Sequence, residues 1–238
     1  GTEGDLTLAE NATVDLNGKE QSAGTLANKG TVLIGENGQL TIDTLNNTDK
    51  GKVDLATGTL TINADSQLTG LTGGGALVIA GGISTVVAEA INQDLKSNIA
   101  INEGAELNLN QEAGIGSGDF NIAGTLNLGA DGQTVSNKLF GRGAINVKEN
   151  ATVANAENEF AGTFTVDNKK ALSVDKVAAL GTSKVELTGT DSALNVADIS
   201  KDATLKNVLS GQGQVNVQED LALAEGTDNS GFEGQFNV

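Results

Sequence analysis

The chain has 238 residues, with 14 lysines and arginines against 31 aspartates and glutamates, and a formal net charge of −17. It contains no Pro, Cys, His, Trp, Tyr or Met. The missing His and Cys exclude a Ser-His-Asp triad, a thiolate nucleophile and an ordinary zinc site. The acidic balance excludes nucleic acid and anionic lipid as preferred partners.

Residues 1–70 carry short bursts of the form apolar-x-apolar, which is the period of two typical of half-buried strands. Between the bursts, turn phrases built on Asn or Gly recur, and Glu-Asn-Ala-Thr-Val stands unchanged at 10–14 and 149–153. Because Asn and Gly tolerate positive φ, each phrase predicts a tight turn that leads into a strand. The bursts lie at 6–8, 14–16, 32–34, 40–42, 53–55 and 60–62.

A longer module takes over from Leu71. A nine-residue phrase, consisting of an apolar residue, a spacer, Gly-x-Gly, a spacer and apolar-x-apolar, begins at Leu71, Leu139 and Leu209. The copies are about 70 residues apart, a period that indicates a solenoid. We therefore predict one solenoid over 1–238, with less regular coils in 1–70 and modules at 71–138, 139–208 and 209–238, the last truncated.

Residues 84–96 depart from this pattern of alternating strands and turns, and they allow two interpretations. Val87, Ile91 and Leu95 are spaced by four residues, and Ser84 is available as an N-cap, so a short helix is one reading. The other reading is two further strands joined by a loop at 92–94.

The density of short strands fits a sandwich, a barrel or a parallel β-helix. Edge strands are often marked by Pro or Lys, and this chain has no Pro and few Lys, which favours a β-helix. Each module then divides into roughly three coils of about 20–25 residues, giving about ten or eleven coils. We expect like turns to lie directly above each other and the core to be Leu, Val and Ile. The six Phe residues are interpreted as core or core-capping: Phe120, Phe140, Phe160, Phe164, Phe232 and Phe236.

We predict no catalytic, cofactor-binding or metal-binding residue in this chain, and no enzyme. Residues 116–119, Gly-Ser-Gly-Asp, resemble a calcium-binding nonapeptide only in part and are interpreted as a polar turn. Gly73-Gly74-Gly75 is not followed by Lys-Ser/Thr, so it does not match a phosphate-binding loop. Paired carboxylates for glycoside cleavage remain open among 31 acids, although the aromatic platforms typical of sugar sites are few.

Several phrases together resemble the passenger domains of Gram-negative autotransporters, including self-associating adhesins. They are residues 178–183, Ala-Ala-Leu-Gly-Thr-Ser before a strand, residues 158–164, Asn-Glu-Phe-Ala-Gly-Thr-Phe, and Gly-x-Gly before a strand. The resemblance implies a right-handed, single-stranded parallel β-helix. It also implies export to the cell surface, with anchoring through an outer-membrane translocator.

From this resemblance we expect a surface adhesin that mediates bacterial self-aggregation, biofilm formation or attachment to host cells or matrix. Its partners would be a second copy of itself or a host surface protein or glycan, without nucleic acid and without membrane insertion of this segment. The alternatives are a passive stalk that presents an N-terminal protease or toxin domain, and a carbohydrate-active β-helix. Since the chain starts at Gly1 and has no Met, we expect it to be a processed or excised piece, without its signal peptide and translocator barrel.

Overall fold

The structure, a computed structural model, describes residues 4–48, 50–86, 92, 94–111, 115–198, 200, 203–218 and 220–238. It is all-β: parallel strands stack in successive coils and form a β-solenoid of about eleven turns. The parallel solenoid predicted from the repeats is therefore confirmed. The chain divides into two compact units, Gly1–Thr125 and Leu126–Val238.

In the first unit, strand follows strand with no helix among the residues described. The six bursts predicted in 1–70 all coincide with strands or overlap them. The strands are β1 Leu6–Leu8, β2 Thr13–Asp15, β3 Glu20–Asn28, β4 Thr31–Leu33, β5 Gln39–Asn47, β6 Lys52–Asp54, β7 Thr59–Ile62, β8 Ser66–Leu68, β9 Leu71–Thr72, β10 Ala76–Ile79, β11 Ile83–Val86, β12 Asn98–Ile101, β13 Glu106–Leu109 and β14 Phe120–Ile122.

These strands form parallel ladders that rise through the first unit. One ladder runs β5–β7–β10–β12–β14, a second runs β8–β11–β13, and a third runs β2–β4–β6–β9. The nine-residue strands β3 and β5 each continue around a bend, and β5 pairs with both β7 and β8. In the later coils the corresponding stretch is split into two strands.

The second unit repeats this construction and adds one 3₁₀ helix. Its elements are β15 Thr125–Leu128, which begins one residue before the unit, β16 Gln133–Val135, β17 Leu139–Gly141, β18 Ala144–Val147, β19 Ala151–Val153, β20 Glu159–Phe160, β21 Thr163–Val166, β22 Ala171–Val174, η1 Val177–Leu180, β23 Lys184–Leu187, β24 Ala193–Val196, β25 Thr204–Leu205, β26 Val208–Gly211, β27 Gln214–Val217, β28 Ala222–Leu223 and β29 Gln235–Asn237.

Two ladders dominate the second unit. They run β18–β21–β23–β26 and β16–β19–β22–β24–β27–β29. Register partners on adjacent coils lie between 17 residues apart, as for Thr59 and Ala76, and 24 apart, as for Lys184 and Val208. The observed coils thus extend to slightly shorter lengths than the predicted 20–25 residues.

The core of each unit consists of inward side chains that stack on their register partners. In the first unit, five isoleucines stand in one column, each with no exposed surface: Ile42, Ile62, Ile79, Ile101 and Ile122. Close packing of branched side chains on one another is what a pleated, one-sided surface favours. A coil cannot bury this column alone, so stability depends on its neighbours.

Glycines allow adjacent coils to approach closely at the corners. A Cβ on Gly162 would lie 2.0 Å from the carbonyl oxygen of Gly143, and one on Gly234 would lie 1.9 Å from that of Gly213. Neither Gly162 nor Gly234 has a positive φ, so the requirement for glycine there is steric rather than conformational. Like turns do stack in this sense, between coils that are direct neighbours.

The two later copies of the nine-residue phrase do not stack, because they occupy different corners of the second unit. After Gly143 the chain enters β18, and three coils later the same ladder reaches β26 at Val208. In the copy that begins at Leu209, the strand after Gly-x-Gly is β27, which belongs to the ladder of β22 and β24. The expectation that like turns lie directly above each other is wrong for these copies. The repeat of about 70 residues is longer than three coils by one side of a coil, so the later copy begins one strand further around the solenoid.

The structure also bears on the helix considered for residues 84–96 and on the burial of the six Phe residues. Ser84 lies buried inside β11, so it is not the N-cap of a helix, and Leu95 makes a parallel bridge to Gly73. Val87 and Ile91 lie outside the described residues. Phe120, Phe160 and Phe164 are fully buried as predicted. Phe140 and Phe232 are half-buried, and Phe236 is 42% exposed.

Candidate interaction faces

The sequence features considered as possible sites lie in turns and corners of the described chain. No group of three or more carboxylates among the described residues is placed to hold a metal ion. Residues 116–119 form a turn in which Gly118 packs against the Ser97 carbonyl and Asp119 donates its N–H to Asn98 Oδ1 at 3.1 Å. Gly73 and Gly75 form a corner between β9 and β10. In the described part of the chain, no helix has the length and apolar character needed to cross a membrane.

In one sheet of the second unit, the outward residues within the described strands carry no charge. Its strands are β16, β19, β22, β24, β27 and β29, and their outward side chains stand in register along the direction of stacking. All of them are half-buried or exposed. We call this the second uncharged face; it consists of Thr134, Thr152, Ala171, Ser173, Ala193, Asn195, Gln214, Asn216, Gln235 and Asn237.

Side-chain hydrogen bonds run along the second uncharged face from coil to coil. Asn237 Nδ2 donates to Asn216 Oδ1 at 2.8 Å, and Asn216 Nδ2 donates to Asn195 Oδ1 at 2.8 Å. Asn195 Nδ2 continues the chain to Ser173 Oγ at 3.3 Å. An amide that donates to one neighbour and accepts from the other is held in one orientation, so the ladder is an ordered array of donors and acceptors.

Charged residues flank this face at the turns that lead into its strands. Lys170 Nζ contacts Glu149, and Asp131 Oδ1 accepts a hydrogen bond of 2.8 Å from Asn150 Nδ2. Asp191 and Glu233 occupy later turns and are exposed. The charged residues therefore lie in the turns, whereas the outward residues of the strands are uncharged, although the chain as a whole is strongly acidic.

The first unit has a similar sheet face, the first uncharged face, on strands β5, β7, β10, β12 and β14. Where these strands pair, up to Ile42 on β5, the outward residues are half-buried or exposed, carry no charge and include more apolar side chains than the second uncharged face. Asp43, the next exposed residue of β5, is charged and lies at the edge of this face. They stand in register from coil to coil: Gln39, Thr41, Thr59, Thr61, Ala76, Val78, Asn98, Ala100 and Asn121.

Other faces of both units carry charges. In the first unit, the sheet of β2, β4 and β6 presents Asp15, Lys52 and Asp54. In the second unit, the ladder of β18, β21 and β23 presents Lys184 and Glu186. Substitutions on these charged faces can therefore serve as controls for substitutions on the uncharged faces.

The first unit also has an open groove of about 600 Å3. It lies beside the strands that follow the bend of each coil. Most of its lining residues are polar, and one exposed apolar residue, Ile83, is 43% exposed. Asp65 Oδ1 accepts the backbone N–H of Ile83 at 2.8 Å. The residues that matter for its chemistry are Thr44, Asn46, Asp65, Gln67, Ile83 and Thr85.

Asp198 is the one strongly perturbed acid buried in the second unit's described residues. Burial of its carboxyl group disfavours the charged form, but hydrogen bonds from Ser200, Val177 and Lys176 outweigh this effect and hold the pKa of Asp198 well below its usual range. Asp198 Oδ2 accepts the Val177 N–H at 3.0 Å, and Lys176 Nζ lies 3.1 Å from Oδ1. The carboxylate therefore anchors the start of η1 to the next coil.

The sequence indicated no site residue, and the uncharged faces were missed. The sequence did indicate which residues point outward, because they alternate along each strand with Leu, Val and Ile residues that are buried. What the sequence did not reveal was which strands are neighbours, since variable coil lengths decide which outward residues share a face.

No known protein-family model matches the chain, and no solved structure matches it. Among curated proteins, the chain is similar to an uncharacterized lipoprotein, YdeK, of Escherichia coli strain K12, with 25% identity over 241 residues. The similarity covers 100% of this chain but 16% of the lipoprotein, so the chain spans only a small part of the length of this relative.

Proposed function

We propose that this segment is part of a cell-surface adhesin in which copies on neighbouring cells associate through the uncharged faces. The observation that carries the proposal is a pair of sheet faces whose in-register outward residues carry no charge, on a chain whose net charge is −17. Copies of such a chain repel each other at long range. Contact is least unfavourable where no carboxylate has to lose its water.

The chemistry of the faces suits association between identical copies. Thr, Ser, Asn and Gln side chains both donate and accept hydrogen bonds, so a face rich in them is complementary to itself. A contact between two copies of one patch is isologous and closes with two-fold symmetry. Burying an amide that regains a hydrogen bond costs far less than burying an unpaired charge.

The size of the faces predicts a weak contact. Six strands spaced by about 4.8 Å, each about four residues wide, give a face of roughly 300 Å2. Stable complexes bury about 800 Å2 on each partner. A single pair of copies should therefore dissociate readily, whereas many copies on two cell surfaces should hold together through avidity.

Two observations support a location at the cell surface: a relative named as a lipoprotein, and phrases shared with autotransporter passengers. The E. coli relative is named a lipoprotein, which supports a place at the cell envelope for this chain as well. The phrases shared with autotransporter passengers support export to the surface of a Gram-negative bacterium, with anchoring through an outer-membrane translocator.

A second candidate function is a passive stalk that presents an effector domain. The observation that favours it is the small share of the lipoprotein that this chain covers, 16%, which leaves room for other domains in a protein of that length. If coated beads fail to clump and a neighbouring domain of the parent protein has the activity, the stalk is the better account.

The test of the adhesin uses beads coated densely with the purified chain and a matched pair of double variants. Thr61→Asp with Asn216→Asp places one carboxylate on each uncharged face. Thr13→Asp with Asn146→Asp places the same two charges on faces that already carry Asp15, Lys52, Lys184 or Glu186. Asn146 donates to Asn127 at 2.8 Å as Asn216 does to Asn195, so both variants lose one bond of the same kind.

Wild-type beads should clump, the control variant should clump about equally, and the test variant should lose most of its clumping. Far-UV circular dichroism and the thermal midpoint establish that both variants are folded. Equal clumping of the two variants, or no clumping of the wild-type beads, would contradict the proposal.

A further inference from the structure

We infer that the groove of the first unit binds neutral, hydroxyl-rich glycan chains that run along the direction in which the coils stack. This inference does not depend on self-association. The groove is made of residues from four successive coils, all within the described part of the first unit. At about 600 Å3, it lies within the size range of small-molecule sites.

The polar residues of the groove are arranged in rows. Asn46 is in register with Gln67, and Gln67 is in register with Thr85. Thr44 stands beside Thr25 on the preceding coil. Side chains one coil apart are separated by about 4.8 Å, close to the length of one sugar unit, so successive residues of an extended glycan can meet equivalent groups on successive coils.

The chemical character of the rows selects for sugar hydroxyls. Amide and hydroxyl side chains offer donors and acceptors to groups that are themselves both. Asp65 Oδ1 accepts the Ile83 N–H at 2.8 Å. A carboxylate accepts up to about four hydrogen bonds, so Asp65 retains capacity for hydroxyl donors.

Charge and apolar surface narrow the ligand class further. Among the residues that the structure describes, no Lys or Arg lines the groove, and Asp65 disfavours anionic polysaccharides. A single carboxylate does not match a multivalent cation, which prefers several oxygen ligands. The exposed side chain of Ile83 provides an apolar patch for the C–H face of a sugar ring.

The described lining of the groove includes no aromatic side chain, so the affinity for one sugar unit should be low. Binding should instead strengthen with chain length up to about four units, because each additional unit engages another of the four coils. We expect dissociation constants in the millimolar range for disaccharides, falling about tenfold or more for hexasaccharides.

The experiment is an amide NMR titration of the full chain with cellohexaose, laminarihexaose and maltohexaose, each beside its disaccharide. Hexagalacturonate serves as the anionic control. At least one neutral hexasaccharide should shift amide signals of residues 44–46, 66–67 and 83–85, more tightly than its disaccharide and more tightly than hexagalacturonate. No shift in these residues with any neutral hexasaccharide, or tighter binding of hexagalacturonate, would overturn the inference.

Substitutions in the groove and outside it test whether the glycan binds in the groove. Gln67→Ala with Thr85→Ala removes two members of the row and should weaken binding at least fivefold, whereas Thr152→Ala with Asn216→Ala, on the second unit, should leave it unchanged. Unaltered binding by the groove variant would overturn the inference. If that variant does not fold, Ile83→Asn, at an exposed position, takes its place with the same expectation.

Discussion

Buried asparagines at the corners join neighbouring coils through backbone groups. Asn158 Oδ1 accepts the Leu139 N–H at 2.7 Å from the preceding coil, and its Nδ2 donates to the Ala179 carbonyl at 2.8 Å on the next. In the first unit, Asn92 accepts the Leu71 N–H and donates to the Leu68 carbonyl, so both of its bonds reach the preceding coil. One side chain thus satisfies two backbone groups that the corner removes from the ladders.

We predict that Asn158→Ala destabilises the chain by about 2–4 kcal/mol, because two buried backbone groups lose their partner. Asn155→Ala is the matched control. Asn155 makes comparable bonds, to Glu157 and Ser136, but at an exposed site, where water replaces them. Urea unfolding should show a lower midpoint for Asn158→Ala and a small change for Asn155→Ala; similar midpoints would refute the role assigned to the buried amide.

Asp198 makes a pH-dependent contribution to stability. Its pKa in the folded chain is held below the ordinary value of about 3.9. The folded state therefore binds fewer protons than the unfolded state as the pH falls below that value. The stabilisation is fully present above about pH 4 and is lost progressively at lower pH.

We predict that Asp198→Asn lowers the stability at pH 7 by about 1–3 kcal/mol, the cost of weakening hydrogen bonds to a buried charged group. The difference from the wild type should shrink as the pH falls below 4. Asp191→Asn removes the same charge at an exposed site and should change stability little at any pH. Urea midpoints measured between pH 7 and pH 2.5 check this, and a difference that stays constant with pH would contradict it.

Glycine corners determine how closely neighbouring coils pack. A Cβ on Gly162 would meet backbone, the Gly143 carbonyl oxygen at 2.0 Å, and backbone cannot turn away as a flexible side chain can. By contrast, the nearest atom to a Cβ on Gly231 would be Ser210 Cβ at 3.6 Å, an ordinary contact. Two glycines of the same unit, both without positive φ, therefore differ in their tolerance.

We predict that Gly162→Ala destabilises the second unit by about 1–3 kcal/mol, as overpacking usually does, whereas Gly231→Ala is nearly neutral. Thermal unfolding followed by circular dichroism measures both. If the two substitutions shift the thermal midpoint equally, close approach of the coils is not the reason for glycine at position 162.

The fold was predictable from the sequence because strand alternation and turn residues act locally. The bursts at Leu40 and Leu60 became β5 and β7, and Asn11 and Asn37 adopt the positive φ expected of their turn phrases. The identical phrase at 149–153 turns differently: Asn150 does not have a positive φ, and its side chain bonds to Asp131 and to the Ala171 N–H. Contacts with adjacent coils override the local preference there.

The candidate faces were less predictable because they depend on coil length. Asn195 and Asn216 share a face only because their coils place them in register, and variable turns between strands set that register. The copies of the nine-residue phrase at Leu139 and Leu209 illustrate the same limit, since similar sequences occupy different corners. Periodicity indicates a strand and its buried side, but the neighbours follow from the sum of all turn lengths.

For the whole molecule, the balance between long-range repulsion and short-range contact decides whether copies associate. A net charge of −17 repels other copies across about 30 Å at 0.01 M salt, but across only about 3 Å at 1 M. Hydrogen bonds and apolar contacts between uncharged faces are little affected by salt in this range. Salt should therefore favour association through these faces, whereas it would weaken association through ion pairs.

The most direct test of the account is the clumping of coated wild-type beads as a function of sodium chloride, from about 0.01 M to about 1 M. The account predicts that clumping increases as the repulsion is screened and then levels off, and that the Thr61→Asp and Asn216→Asp double variant stays low throughout. Clumping that is strongest at 0.01 M and falls steadily as salt is added would contradict it.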